Sequence, residues 1–273
     1  MDMNRHLTDI WSKTAAEQNQ GAILHRYVLG VYDFLERLHE RYPDLLIEGC
    51  SGGGGRFDAG MLYYTPQIWC SDNTDAVERI KIQYGTSFAY PSCTVGSHVS
   101  AVPNHQTGRT TELATRAAVA MAGSFGYELD LNLLTEEEKE QVREQIKNYH
   151  RFEMLIRQGR YYRLTDVWQK KEYAAWEYCR PDGSEALVTV VTLNTQCNPA
   201  TEYVKLRGLG EDKKYRVEVV GMQTGGENGQ RINGTPNAVE PEYYTGAQLV
   251  YAGVPVPRLG NEYKSWQVYV KEV

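Results

Sequence analysis

The sequence predicts two regions of different fold class, an α/β region over residues 1–160 and an all-β region over residues 161–273. Two observations predict this division. Before Gly159, stretches with a helical spacing of apolar residues alternate with short apolar runs that end in glycine or aspartate. After Gly159, apolar residues recur at every second position, as they do in β-strands. The 41% apolar content is typical of a folded globular chain rather than a disordered one.

The first half of the α/β region reads as helix, strand, strand and helix. Apolar residues recur at spacings of three and four before Pro43 and predict a helix there. They are Leu24, Val28, Val31, Leu35 and Leu38. We expect a short buried strand at residues 45–47 and a second strand at residues 67–69. A helix is expected to begin near Asp75, where an N-cap residue belongs.

The second half of this region continues the alternation. A third strand is expected between Phe88 and Val99, a helix over 113–121, and a fourth strand over 126–130. The last helix should begin at Thr135, which has the spacing of a capping box with Glu138. The residues expected to face inward from it are Val142, Ile146 and Tyr149. Strands separated by helices indicate parallel βα units.

The all-β region is predicted to be an antiparallel sandwich. Period two is seen in two segments, which include Leu187, Thr189, Val191 and Leu193, and later Trp266, Val268 and Val270. Turn signals lie at 181–183, 228–229 and 233–234, because Pro-Asp-Gly and Asn-Gly favour tight turns.

The number of strands leaves two interpretations of the first region. A closed (β/α)8 barrel takes about 250 residues and eight strands. Residues 1–158 offer only about four strands, so the region is either a small open α/β sheet or one half of a barrel. The pattern of residues alone favours neither.

Charge and cysteine content exclude several classes of partner. With 35 acidic and 29 basic residues, the formal net charge is −6, which opposes binding to nucleic acid or to an acidic membrane surface. No apolar stretch has the roughly 20 residues that span a bilayer. The five cysteines show no CxxC spacing, so neither a zinc site nor a disulfide framework is expected. We therefore predict a cytoplasmic protein.

A glycine-rich loop follows the first predicted strand. Residues 50–58 read Cys-Ser-Gly-Gly-Gly-Gly-Arg-Phe-Asp, and four glycines allow a backbone to approach a ligand closely. A phosphate-binding loop would need Gly-Lys-Ser/Thr at its end, which is absent here. The loop is then either part of a binding site for another kind of ligand or a flexible turn.

Three aspartates call for different interpretations. Asp75 has the position of a helix N-cap. Asp72 lies between the end of the second predicted strand and the helix cap, and it has no evident local structural role there. An apolar setting near Trp69 would suit Asp72 to act as a general acid. By itself, Asp2 reads as a solvated terminal residue. Other polar residues near later strands fit either a pocket or structural roles: His98, Asn104, His105, Gln106, Glu128 and Asp130.

Taken together, these motifs resemble the catalytic part of glycoside hydrolase family 36, the bacterial α-galactosidases. The matching segments, in the family's order, are Asp2-Met3-Asn4-Arg5, residues 50–58, 70–75, 79–85, 103–106 and 126–130. The C-terminal residues 246–249 and Gly253 also resemble the family's closing sandwich. The resemblance covers the whole chain and favours the second half of a (β/α)8 barrel over an open sheet.

The resemblance implies a retaining mechanism. It places the nucleophile at Asp2 and the acid/base at Asp72, which would lie about 5–5.5 Å apart on a bound sugar. It implies that four residues bind the substrate, namely Cys50, Ser51, Gly52 and Asn4. Neither a metal nor an organic cofactor is expected.

The expected function is the release of terminal α-linked galactose from oligosaccharides of the raffinose or melibiose type. The family carries Lys-Trp before its nucleophile, where this chain has only Met1, so the chain is expected to begin at the tip of the fourth barrel strand. One alternative is therefore an inactive fragment. A second alternative is an α-N-acetylgalactosaminidase or a galactosyl transferase of the same clan. The complete enzyme is expected to be a homo-oligomer.

Overall fold

The structure is a computed structural model that describes residues 10–198, 200–220, 242–257 and 261–273. Within these ranges, no helix is both long and apolar enough to cross a membrane. The chain forms two compact units. The described residues within 1–72 and 94–96 form the first unit, and those within 73–93 and 97–273 form the second. The predicted boundary between residues 160 and 161 stays a prediction.

The described part of the first unit contains a 3-10 helix (Glu17–Ala22), two α-helices and two short parallel strands. The α-helices and strands are α1 (Ile23–Arg41), β1 (Glu48–Gly49), α2 (Ala59–Tyr64) and β2 (Gln67–Ile68). The predicted first helix is confirmed, because α1 ends just before Pro43 and the Tyr42 amide donates to the Leu38 carbonyl. Of its apolar residues, however, only Leu35 is buried.

The buried strand expected at residues 45–47 is wrong. The register pairs Glu48 with Gln67 and Gly49 with Ile68, so the strand begins directly after the apolar run. Leu45 is exposed, and Leu46 has 88% of its surface accessible. A strand is buried only where a neighbouring layer covers it, and the described residues provide no such layer over this run.

The second unit begins with an α/β portion. Its elements are α3 (Ala76–Thr86), β3 (Gly96–Ser100, of which residues 97–100 belong to this unit), α4 (Leu113–Ala120), β4 (Ser124–Glu128) and α5 (Glu136–Gln158). Thr135 and Glu138 form the predicted capping box of α5. Ile146 is 39% exposed and does not face inward as expected. The buried face of α5 is centred on Phe152 and Ile156, and Ile146 lies at its edge.

The rest of this unit is antiparallel. Six strands form one sheet in the order β10-β9-β12-β7-β6-β5, and β8 pairs with β11 in a smaller sheet. Their bounds are β5 (Arg160–Arg163), β6 (Tyr173–Cys179), β7 (Glu185–Thr192), β8 (Tyr203–Val204), β9 (Lys214–Val219), β10 (Glu242–Thr245), β11 (Val254–Pro255) and β12 (Ser265–Glu272). All strand pairs of the large sheet are antiparallel, as predicted.

Both faces of the large sheet are covered. On one face, Leu187 and Trp176 pack with Phe152, Leu155 and Ile156 of α5. The opposite face packs against residues that include Leu206, Leu249 and Val254. Strand β7 is therefore buried along most of its length on both sides, which explains why valines occupy consecutive positions in it.

The turn predicted at residues 181–183 is confirmed. Gly183 has a φ of 72°, and its amide donates to the Arg180 carbonyl at 2.8 Å. This left-handed conformation favours glycine. The turns predicted at 228–229 and 233–234 lie outside the described residues.

Candidate active site

The ends of two neighbouring strands bring the predicted loops of the first unit together. β1 and β2 are parallel, and the Trp69 amide donates to the Gly49 carbonyl at 2.8 Å. Ile68 also bridges Val95 in parallel on its other side. Carboxyl ends of parallel strands meet at one edge, where open α/β sheets and barrels place their active sites. The loops after Gly49 and after Ile68 therefore begin side by side.

The glycine-rich loop forms a left-handed turn. Ser51, Gly52, Gly53 and Gly54 all have positive φ angles, of 73°, 64°, 74° and 92°. The amide of Gly54 donates to the Cys50 carbonyl at 3.2 Å, and that of Gly55 to the Ser51 carbonyl at 3.0 Å. Consecutive residues in this conformation are costly unless glycine supplies most of them. The run of glycines is thus required by the backbone of the loop.

The same loop touches the backbone of the segment that contains Asp72. A Cβ atom at Gly53 would lie 2.8 Å from the Asp72 nitrogen. One at Gly54 would lie 3.1 Å from the Cys70 oxygen. Any side chain at Gly53 would clash with this backbone, so the absence of side chains lets the two strand-end loops pack directly on each other.

Asp58 ends the loop and begins α2. Its Oδ1 atom accepts a hydrogen bond from the Met61 amide at 2.8 Å and another from the Tyr32 hydroxyl at 2.7 Å. The hydrogen bond to Asp58 raises the pKa of Tyr32. The contact holds the loop against α1. Sequence reasoning missed Tyr32, because its partner lies 26 positions away and no local pattern connects them.

The structure describes four of the six predicted site residues. Cys50, Gly52 and Asp72 are exposed, and Ser51 is half-buried. Asp2 and Asn4 lie outside the described residues, so the separation of the two predicted catalytic carboxylates is not described. The apolar setting expected for Asp72 is not found among the described residues. Trp69 is buried, but Asp72 has emerged at the surface three residues later.

Asp75 is the N-cap of α3, as predicted. In the second unit, its Oδ1 atom accepts from the amides of Val77 at 2.8 Å and Glu78 at 3.3 Å. Its carboxylate also accepts from Thr107 and from Arg109. Burial alone would raise the pKa of Asp75, but the hydrogen bonds from Thr107, Arg109 and the helix amides outweigh it and leave the pKa below its usual value. Asp75 therefore has a structural role.

Several of the other polar candidates also have structural partners. Asn104 donates to Thr74 and accepts from the amides of Gln106 and Thr107, which orders its own loop. Glu128 lies 3.6 Å from His98. Asp130 accepts from the amide of Asn132 at the start of a 3-10 turn.

Comparison with known proteins decides the family. The melibiase family matches residues 1–159, and the C-terminal domain of glycosyl hydrolase family 36 matches residues 173–270. The chain belongs to glycoside hydrolase family 36. Its first region is part of the family's (β/α)8 barrel, and the open-sheet alternative is dropped.

Two named α-galactosidases match this chain over its whole length. The chain is 52% identical over 272 residues to the bifunctional α-galactosidase/sucrose kinase AgaSK of Mediterraneibacter gnavus. It is 44% identical over 272 residues to the α-galactosidase AgaA of Geobacillus stearothermophilus. In both cases 100% of this chain is covered, but only 26% and 34% of the relative. The chain therefore spans about a third or less of the length of these family 36 relatives.

Solved structures of family 36 have the same fold. The crystal structure of AgaA from Geobacillus stearothermophilus has a TM-score of 0.88 at 43% identity. It covers 100% of this chain, which matches 35% of that structure. A variant of AgaA solved in complex with raffinose gives a TM-score of 0.87.

Proposed function

We propose that this chain carries the nucleophile Asp2, the acid/base Asp72 and part of the sugar-binding residues of a retaining α-galactosidase site. One observation supports this most directly: the glycine-rich loop packs on the backbone of Cys70–Asp72, so the predicted sugar-binding loop adjoins the predicted acid/base. The relatives support the same chemistry, since they are named α-galactosidases.

The proposed reaction has two steps. In the first, the Asp2 carboxylate attacks the anomeric carbon while Asp72 gives its proton to the departing glycosidic oxygen. A covalent galactosyl ester and the free leaving alcohol result. In the second, Asp72 takes a proton from a water molecule that hydrolyses the ester, which restores both carboxyl groups and releases galactose. Asp72 therefore makes both proton transfers and Asp2 forms the covalent bond, so the proposed reaction uses no cofactor.

Substrate binding is assigned to the loop and to the N-terminal motif. Cys50, Ser51, Gly52 and Asn4 are proposed to contact the galactose ring. The exposure of Cys50 and Gly52 supports this, because neither is used to fill a core. The substrates proposed are terminal α-galactosides of the raffinose and melibiose type, and a variant of AgaA was solved with raffinose bound.

A chimaera tests the proposal. Residues 1–273 would replace the matching C-terminal part of AgaA, and the release of galactose from raffinose would be measured. We expect turnover that falls at least about a hundredfold in Asp72→Asn, the usual effect of losing a general acid/base. Asp44→Asn is the matched control, because Asp44 is another exposed aspartate of the first unit. Equal losses in both variants would contradict the role of Asp72.

Chemical rescue separates the two carboxylates. Azide added to Asp72→Gly should give α-galactosyl azide, because it attacks the covalent intermediate. Azide added to Asp2→Gly should give β-galactosyl azide, because it attacks the substrate directly. The opposite pairing of products would reverse the assignment. Cleavage of an N-acetyl-α-galactosaminide in preference to an α-galactoside would favour the amino-sugar alternative.

A second candidate function is a non-catalytic unit that acts only with another polypeptide segment. It is favoured by the exposed apolar residues Leu24, Leu29 and Phe34 on α1. Activity of residues 1–273 on a nitrophenyl α-galactoside, without any added segment, would exclude it. The cytoplasmic location and the homo-oligomeric state of the complete enzyme stay predictions.

A further inference from the structure

A cavity of about 440 Å³ lies in the second unit, and none of its lining residues is among those assigned above to the sugar site. Its wall contains Arg151 of α5 together with side chains from the large sheet and the turn after β6. The charged residues from the sheet and turn are Arg180, Glu185, Arg216, Glu218 and Lys271. We call this cavity the basic pocket.

Strand register brings these charges together. Lys271 of β12 lies opposite Glu185 of β7 on one side and opposite Arg216 of β9 on the other. One step along the same face, Tyr269 lies opposite Glu218. Side chains two positions apart on a strand share a face, so the register alone places both carboxylates among the cations.

Each carboxylate in the basic pocket is shared by two cations. Glu218 pairs with Arg151 and, at 3.2 Å, with Arg216. Glu185 pairs with Arg180 at 3.5 Å and with Lys271 at 3.6 Å. Four cations therefore surround two carboxylates, which leaves a formal surplus of two positive charges in a chain whose net charge is −6.

The cations still have donors to offer. A guanidinium group carries five N–H donors. One carboxylate that is shared by two cations cannot accept hydrogen bonds from all of the donors that those cations carry. Arg151 also makes a cation–π contact, since its guanidinium carbon lies 4.7 Å from the centre of the Tyr269 ring. Burial and the neighbouring Glu185 raise the pKa of Tyr269 to about 12, so its hydroxyl keeps its proton near neutral pH.

We propose that the basic pocket binds a small phosphate monoester through its phosphate group. A phosphate monoester carries close to two negative charges at pH 7, which matches the surplus, whereas a carboxylate carries only one. Arginine forks suit phosphate oxygens in geometry as well as in charge. The cavity is larger than one phosphate group needs and falls within the range of small-molecule sites, so the organic part of the ester also fits.

Binding of two probes to the full 273-residue chain tests the proposal. Inorganic phosphate and glucose 6-phosphate would be titrated by calorimetry, with sodium chloride added to keep the ionic strength constant. We expect saturable binding, with glucose 6-phosphate at least as tight as inorganic phosphate. Loss of hydrogen bonds to a charged ligand should weaken binding at least about tenfold in Arg180→Gln/Arg216→Gln.

Arg143→Gln is the matched control. Arg143 is an exposed arginine of α5 that also pairs with a glutamate, Glu140, but it does not line the pocket. Its affinity for both probes should stay within about twofold of the parent chain. If the double variant fails to fold, Lys271→Gln replaces it, because that side chain is 59% exposed.

Three results would overturn the proposal. The first is the absence of saturable binding once ionic strength is held constant. The second is an equal loss in Arg143→Gln, which would show a nonspecific charge effect. The third is binding of inorganic phosphate without binding of the ester, which would limit the pocket to a free ion. None of these results bears on the proposed galactoside hydrolysis, which is assigned to Asp72 rather than to the basic pocket.

Discussion

Helices α1 and α5 are both long and amphipathic, yet they bury very different amounts of side chain. α1 has 19 residues and buries only Leu35, whereas α5 has 23 residues and buries five. On α1, Leu24, Leu29 and Phe34 are exposed. On α5, Phe152, Leu155 and Ile156 pack against the large sheet.

This difference shows that helix formation and burial of the apolar face are separate properties, and an amphipathic pattern predicts only the first. The pattern predicts a helix, because apolar residues at spacings of three and four align on one face. It does not supply the surface against which that face is buried. α5 has a six-stranded sheet beneath it, and the described part of the first unit has only a pair of two-residue strands.

The largest effect is expected from a matched pair of phenylalanines on the two helices. Phe152 is 1% exposed and packs on Tyr269 with ring centres 5.0 Å apart, whereas Phe34 is 45% exposed. Phe152→Ala should lower the free energy of unfolding by about 3–5 kcal/mol, and Phe34→Ala by about 1 kcal/mol or less. Urea unfolding followed by circular dichroism measures both. Equal losses would mean that Phe34 is covered in solution.

The buried core of the second unit also contains a glutamate side chain. Glu177 is fully buried, and burial raises its pKa to about 8 despite a hydrogen bond from the Arg207 amide. Its other oxygen has no hydrogen-bond partner among the described residues. In the unfolded chain this group ionises near pH 4.5, so between that pH and about 8 the folded state holds the extra proton.

Stability should consequently fall as pH rises through this window, by up to about 1.4 kcal/mol per pH unit, and level off above it. Glu177→Gln should remove the slope and stabilise the protein more at pH 8 than at pH 5. Urea midpoints at pH 5, 6.5 and 8 measure this effect. Glu140→Gln, a change at an exposed glutamate, should leave the slope in place. A slope that persists in Glu177→Gln would contradict the explanation.

The smallest effect compares one glycine from each unit. Gly53 and Gly108 have similar φ angles, of 74° and 70°, but only Gly53 faces backbone, since a Cβ atom at Gly108 meets nothing within 4 Å. Gly108→Ala should cost only the conformational strain, about 1–2 kcal/mol. Gly53→Ala should cost about 1–3 kcal/mol more, because the Asp72 backbone must move. Equal unfolding free energies for the two variants would show that the loop is not pressed against Cys70–Asp72.

Much of the fold was predictable because it depends on short distances in sequence. The capping box of Thr135 and Glu138, the N-cap at Asp75 and the end of α1 before Pro43 involve residues no more than four positions apart. The strand expected at 45–47 failed for the opposite reason. An apolar run reads as buried, but its burial depends on which other strand or layer lies beside it.

The candidate site divides in the same way. The order of the motifs and the run of glycines could be recognised in the sequence, and they predicted Cys50, Ser51, Gly52 and Asp72 as site residues. The hydrogen bond that Tyr32 donates to Asp58 was not, nor was the pairing of Arg109 with Asp75 across 34 positions. Such contacts produce no repeating pattern in the sequence, because each joins a single pair of residues that are far apart along the chain.

By itself, the sequence determined that one helix ends before Pro43, that others begin at Asp75 and Thr135, and to which enzyme family the motifs belong. Only the tertiary structure decided which helix face is covered and which charges meet in the basic pocket, whose residues span positions 151 to 271. The physical reason is range. Caps and turns are satisfied within a few residues, whereas burial and charge pairing depend on strand register and layer packing, which the whole chain sets together.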